Sequence, residues 1–205
     1  VVATQVMDVE SSLRDEFPDV SFLAQKTADN IPTFWLPRAR LKDVLSFLKP
    51  SYEMLFDLCG VDERTRLHKD DLPEVDFTVV YHLISFRNNC DVRLKVALNQ
   101  KDLDVPTVIS VYPNANWYER EAWDMFGINF VGHPSLFRIL LPPTWEGHAL
   151  RKDHPARATE LEPFSLTEER QDKEQEALRF RPENWGMQRK NDNTEFMFLN
   201  MGPNH

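Results

Sequence analysis

The stretch from Asp76 to Leu98 narrows the possible folds more than any other part of the chain. Asp76 to Phe86 is apolar at both sets of alternating positions, the pattern of a central strand covered on both sides. Arg87-Asn88-Asn89-Cys90 carries turn chemistry. Asp91 to Leu98 then alternates, with Val92, Leu94, Val96 and Leu98 pointing one way and Arg93 and Lys95 the other. Two such segments around a short polar turn predict an antiparallel hairpin with one strongly apolar face.

The elements before the hairpin supply what that face needs. Val6, Val9, Leu13 and Phe17 fall on one side of a helix predicted over Gln5–Phe17, and Pro18 stops it. Phe22–Lys26 and Ile31–Leu36 read as short strands split by the polar turn Ala28-Asp29-Asn30. Pro37 opens a second helix, Arg38–Lys49, whose Leu41, Val44, Leu45 and Leu48 form a single stripe; Pro50 ends it. Met54–Leu58 is a third strand. Helices returning to one side of a largely antiparallel sheet predict an α+β fold: a two-layer domain with a mostly antiparallel mixed sheet and helices on one face.

After Pro113 the pattern changes. Asn116-Trp117-Tyr118-Glu119 looks like a helix start, with an Asn cap and a Glu three residues on, and Gly127 is a plausible stop. Beyond Pro142 periodicity fades. Ser165-Leu166-Thr167-Glu168 is a capping-box pattern, and Glu169 and Lys173 are spaced for an ion pair on one helix face. Arg181 to Glu195 is a polar linker, after which Glu195 to Asn200 turns apolar, like the start of something new.

Composition excludes several functions. The net charge of -9 argues against nucleic acid, which calls for clustered Lys and Arg. No run approaches the ~20 apolar residues of a membrane helix, and no signal segment is recognisable. The opening Val1-Val2 is expected of a start that has been trimmed or left out. Cys59 and Cys90 are far apart, expected as free thiols and too few for an iron–sulfur cluster. His133, His148 and His154 lack metal-ligand spacing. There is no Gly-rich loop to cradle a nucleotide.

What remains is a dense charged and aromatic run. Glu119, Glu121 and Asp124 could be acid–base carboxylates. They could equally form a charge network within a packing contact, because Trp117, Trp123 and Phe126 are interleaved with them and ask for burial. Arg120 and Asp124 are spaced to pair on one helix face. Arg138, Arg151 and Lys152 are candidate partners, since buried charges are rarely left unpaired.

The run Tyr118-Glu119-Arg120-Glu121, then Asp124, Gly127, His133-Pro134, Arg138, Leu141-Pro142, Trp145 and Leu150-Arg151-Lys152-Asp153 closely resembles the signature of one family. This is the C-type, or thirty-kilodalton, subunit of respiratory complex I (NADH:quinone oxidoreductase). Ala149 departs from it, standing where the family commonly has Pro. Phe198-Leu199-Asn200-Met201-Gly202-Pro203-Asn204-His205 resembles the opening of the D-type subunit, which is fused to the C-type one in some bacteria. The resemblance implies a C-type α+β domain over 1–142 including a signature helix at 116–126, an extended arm and linker over 143–195, and the first residues of a fused D-type domain over 196–205.

It further implies a non-redox assembly subunit of the peripheral arm, inert alone. Such a subunit would brace the quinone-proximal region of a proton-translocating complex on the cytoplasmic side of the bacterial inner membrane. FMN, iron–sulfur clusters and quinone would belong to other parts, and the chain would hold no cofactor or metal. The partners implied are the fused D-type part and the B-type and I-type cluster-bearing subunits, with membrane contact only through the complex. Glu119, Arg120, Glu121, Asp124, Gly127, His133, Pro134, Arg138, Trp145, Arg151, Lys152 and Asp153 would be structural or interface residues, the carboxylates paired with Arg138 and Arg151. A free-standing hydrolase using the Glu/Asp cluster and a generic binding module remain the alternatives from other classes.

Overall fold

The computed structural model describes residues 9–66, 72–143 and 145–154. The first turn expected of the leading helix, the capping box at Ser165, the Glu169–Lys173 pair, the linker from Arg181 and the apolar segment ending at His205 lie outside the described residues.

In chain order the elements are α1 (Val9–Glu16), β1 (Leu23–Gln25), β2 (Thr33–Trp35), a 3-10 turn (Arg38–Arg40) running into α2 (Leu41–Leu48), β3 (Met54–Asp62), β4 (Phe77–Ser85), β5 (Cys90–Leu98), β6 (Asp104–Pro106), α3 (Ala115–Phe126) and β7 (Asn129–Val131). Five strands form one sheet in the order β1-β2-β5-β4-β3. Its pairs are antiparallel except β2 with β5. This is the expected α+β class with a mostly antiparallel mixed sheet.

The hairpin behaves as its sequence predicts. Ser85 pairs with Cys90 beside the turn, and the ladder runs unbroken to Phe77 opposite Leu98. That register puts Phe77, Val79, Tyr81 and Leu83 beside Leu98, Val96, Leu94 and Val92 on one face, all buried. Leu13 of α1 and the stripe Leu41, Val44, Leu45 and Leu48 of α2 are fully buried in the same core. Pro37 is extended (ψ 135°) and passes the chain from strand to helix. One expectation fails. Val80, His82 and Ile84 on the other side of β4 are half-buried, so this strand is interior within the sheet but covered on one face.

Two features were not foreseen. Strand β3 continues four residues past Leu58, through Cys59 and Gly60. A side chain at Gly60 would sit 2.7 Å from the Phe126 ring, so the glycine is what lets α3 lie close on this strand. Strands β6 and β7 pair in parallel on either side of α3 and tie its two ends together. At three residues each they are too short to show an alternating pattern.

Because α2 contributes a fully buried stripe, Leu45→Ala is expected to lower stability by about 2–5 kcal/mol. Urea unfolding of the parent chain and the variant measures this difference.

Candidate functional site

The charged signature lies on α3, and its orientation inverts the expectation. Ala115, Glu119, Arg120, Ala122, Asp124 and Met125 are buried, whereas Trp117 is 60% exposed and Trp123 and Phe126 are half-buried. Small Ala115 and Ala122 meet the core, and a tryptophan on that side would hold the helix away from Gly60. The helix begins one residue earlier than expected, with Asn114 at the cap position and Asn116 inside the first turn. Asn114 makes no capping bond; its side-chain amide donates to the Leu55 carbonyl at 2.7 Å and pins the helix start to β3. The Asn116–Glu119 capping box is therefore not formed. Gly127 does end the helix, at φ 74°. A side chain there would lie 2.5 Å from His148 and 2.6 Å from Arg151.

Asp124 organises the segment that follows. Its side chain is fully buried. One oxygen accepts from Arg138 Nη1 at 2.6 Å, and the other from the backbone N–H groups of Ile139, Leu140 and Leu141 at 3.0, 2.9 and 3.0 Å. Burial alone would push this carboxyl up. The bonds from Leu141, Arg138, Leu140 and Ile139 outweigh it and hold the group below the usual range. Arg138 Nη2 also donates to the carbonyls of Trp145 and Gly147 at 2.7 and 2.9 Å. His148 Nδ1 lies 3.0 Å from the Asp124 carbonyl, Leu150 N–H donates to Met125 O, and Arg151 Nε donates to Phe126 O at 2.6 Å. The stretch from Arg138 to His154 is thus strapped across the end of α3.

A second clasp fastens the far end of this strap to the sheet. Asp62, at the end of β3, accepts from Arg64 Nε at 2.9 Å and from the Lys152 backbone N–H at 2.8 Å. Arg64 Nη1 also donates to Asp153 at 2.8 Å. Burial raises the Asp62 carboxyl, but the Arg64 and Lys152 bonds prevail and bring it down to about 2. The guanidinium groups of Arg64 and Arg151 both lie over the Phe77 ring.

Glu119 is the opposite case. It is fully buried and accepts from Thr107 Oγ1 at 2.6 Å and Val108 N–H at 2.7 Å, with no basic partner among the described residues. Burial dominates these two bonds and pushes its carboxyl up to about 7.

The structure therefore brings together Asp124, Gly127, Arg138, Trp145, Arg151, Lys152 and Asp153. Several expected pairings are not formed. Arg120 does not pair with Asp124, which is occupied by Arg138; it stacks on Phe137 and Trp117 instead. Arg151 meets a carbonyl rather than a carboxylate, and Lys152 contributes its backbone N–H rather than its ammonium group. Glu121 and Pro134 are exposed, and His133 Nε2 lies 3.3 Å from the Asn116 carbonyl. Thr107, Val108, Asp62 and Arg64 were missed. They lie 11 to 90 residues from their partners, and no local pattern marks them. No helix among the described residues is long and apolar enough to cross a membrane.

Comparison with known proteins agrees with this layout. The profile for the 30 Kd subunit of respiratory-chain NADH dehydrogenase matches residues 34–160. The fused C/D protein of NADH-quinone oxidoreductase from Chromohalobacter salexigens is 60% identical over 96% of this chain and 34% of its own length. Its counterpart in Nitrosospira multiformis is 61% identical over 89% of this chain and 31% of its own. The chain thus spans about a third of the length of these relatives. Among solved structures, a trypsin-resistant fragment of Nqo5 superposes with a TM-score of 0.56 and 29% identity, over 63% of this chain and all of that one.

Two outcomes follow from the carboxylates. Asp124→Ala leaves Arg138 buried without its carboxylate and is expected to cost about 3–5 kcal/mol in urea unfolding. Glu119 should behave as a raised acid. Its contribution is fully present below the unfolded value of 4.5 and is lost as pH rises through about 7. The stability of Glu119→Gln relative to the parent should therefore climb between those two pH values, by up to a change on the order of 3 kcal/mol. Unfolding of both proteins from pH 4 to pH 8 would show it, and a difference independent of pH would contradict it.

Proposed function

This chain belongs to the family of the 30 Kd subunit of respiratory-chain NADH dehydrogenase, and we propose that it is a structural, non-redox subunit of a proton-translocating NADH:quinone oxidoreductase. In this reading it is the C-type part of a fused C/D protein in the peripheral arm. It braces the quinone-proximal region on the cytoplasmic side of the inner membrane, beside the D-type part and the B-type and I-type subunits. Electron transfer belongs to the whole complex. The chain holds no FMN, cluster or quinone of its own and is inert alone.

The observation that carries this reading is the saturation of Asp124. A buried carboxylate already accepting four hydrogen bonds has no edge left for a substrate. Glu119 has an acid strength suited to proton transfer near neutral pH, but it is sealed from solvent and held by Thr107 and Val108. General acid–base work needs a reacting group within hydrogen-bond reach. Both carboxylates serve packing in this arrangement, which disfavours a hydrolase. The long strap, fastened at two places, supports a part that holds its neighbours in position.

The test is turnover per assembled complex in Glu119→Gln and Asp124→Asn variants. Quinone reductase activity should fall only in proportion to the amount of complex recovered. Normal assembly with a large loss of turnover, or a displaced pH optimum, would show that these groups take part in the chemistry.

A further inference from the structure

We infer that Arg120, together with Trp117 and Phe137, forms a docking point for an acidic side chain of another protein subunit. The inference rests on the assembly role proposed above and deepens it by naming a surface and the chemistry of its partner.

The Arg120 guanidinium lies 3.8 Å from the Phe137 ring centroid and 5.2 Å from that of Trp117. Arg120 itself is 8% exposed, but Trp117 and Phe137 are 60% and 52% exposed. Large aromatic side chains this open are unusual on a helix whose inner face carries charges. Their arrangement around one cation places a flat, apolar surface on both sides of it.

The charge is uncompensated. Nε donates to the Phe137 carbonyl at 3.3 Å and Nη2 to the Arg138 carbonyl at 3.4 Å, long bonds for a cationic donor. Arg120 forms no ion pair among the described residues, and Nη1 has no hydrogen-bond partner there. Asp124, one helical turn on, is taken by Arg138 and three N–H groups. Glu119 points inward to Thr107 and Val108, and Glu121 is on the exposed side of α3. Arg64 and Arg138, in contrast, each have a carboxylate.

A guanidinium held between two rings has already lost its rotamer freedom, and its free edge fits the planar fork of a carboxylate. Tryptophan and arginine at the centre of a surface, with an apolar surround that excludes water, carry most of the energy of many protein interfaces. The complement is a single acidic side chain rather than a phosphate-rich surface. Arg120 is the one Lys or Arg between Trp117 and Phe137, the same stretch holds Glu119, Glu121 and Asp124, and the chain carries a net charge of -9. A polyanion or an anionic membrane asks for several cations together.

The experiment uses the full chain in its assembled complex. The photoreactive amino acid p-benzoylphenylalanine, placed at Trp117, should crosslink to another subunit within a few residues of an Asp or Glu. Trp117→Ala and Arg120→Gln should each lower the recovery of this chain with its partners about tenfold or more at moderate salt. Trp117→Ala, at an exposed position, should leave the melting temperature of the isolated chain within about 2 °C of the parent. Arg120→Lys, which keeps the charge and loses the fork, should recover only part of the binding. Crosslinks confined to this chain, to lipid, or to a partner segment without an acidic residue would overturn the inference, as would full recovery of the Trp117→Ala chain with its partners. If the parent chain itself brings down no partner, the assembly role fails, and this docking point with it.

Discussion

The buried carboxylate of Asp124 is the interaction on which the second half of the structure depends. It sits in the last turn of α3, where the helix dipole presents its negative end and an anion is least welcome. Nothing within the helix offsets that charge. Relief comes from Arg138 and from three successive N–H groups of residues 139–141. Those donors can reach Asp124 only if the chain after β7 turns back over the helix end. The need to satisfy one charge therefore sets the course of the strap.

The rest of the strap follows from that turn. With Arg138 fixed, its second nitrogen reaches the Trp145 and Gly147 carbonyls, and the chain is led back past Gly127. Arg151 then caps the Phe126 carbonyl, one of those a helix end leaves open. Gly127 has to lack a side chain there twice over: its backbone is left-handed, and His148 and Arg151 fill the space a Cβ would take. Asp62 and Arg64 then hold residues 152 and 153 against the end of β3. A segment with few buried apolar side chains is held by charge-assisted bonds at both ends.

The sheet and the first two helices were readable from sequence because their signals are local and periodic. The Val92–Leu98 alternation and the Leu41–Leu48 stripe each settle a burial face within one element. The signature helix was readable as a helix, but the side it buries was not. Trp117, Trp123 and Phe126 weigh heavily in any expectation of burial, whereas the constraint that decides orientation is the narrow space above Gly60, fifty-five and more residues away from Ala115. The Asp124–Arg138 pair could be anticipated from the rule that buried charges find partners. The replacement of Arg120's expected carboxylate by two aromatic rings could not. Neither could the bond from Lys152 to Asp62, because it comes from the backbone and carries no mark of residue type.

Glu119 and Asp124 show why such a run of charges has to be read one residue at a time. Both are carboxylates on one helix, and both have no exposure. Burial pushes each of them up, so burial cannot be what separates them. The difference is the number and charge of the donors. Four hydrogen bonds, one from a guanidinium, bring Asp124 below its usual value, whereas two neutral donors leave Glu119 at about 7. The negative charge of Asp124 is thus part of the native state, and the strap depends on it. The charge of Glu119 is close to optional at neutral pH, where a proton can occupy the site without loss of the surrounding packing. The two residues therefore make opposite demands on pH, the first favouring conditions that keep it ionised and the second conditions that keep it protonated. The fold satisfies both in the interval between the two pKa values, and because both groups are removed from solvent, added salt screens neither of them as it would the exposed Arg14–Glu10 pair.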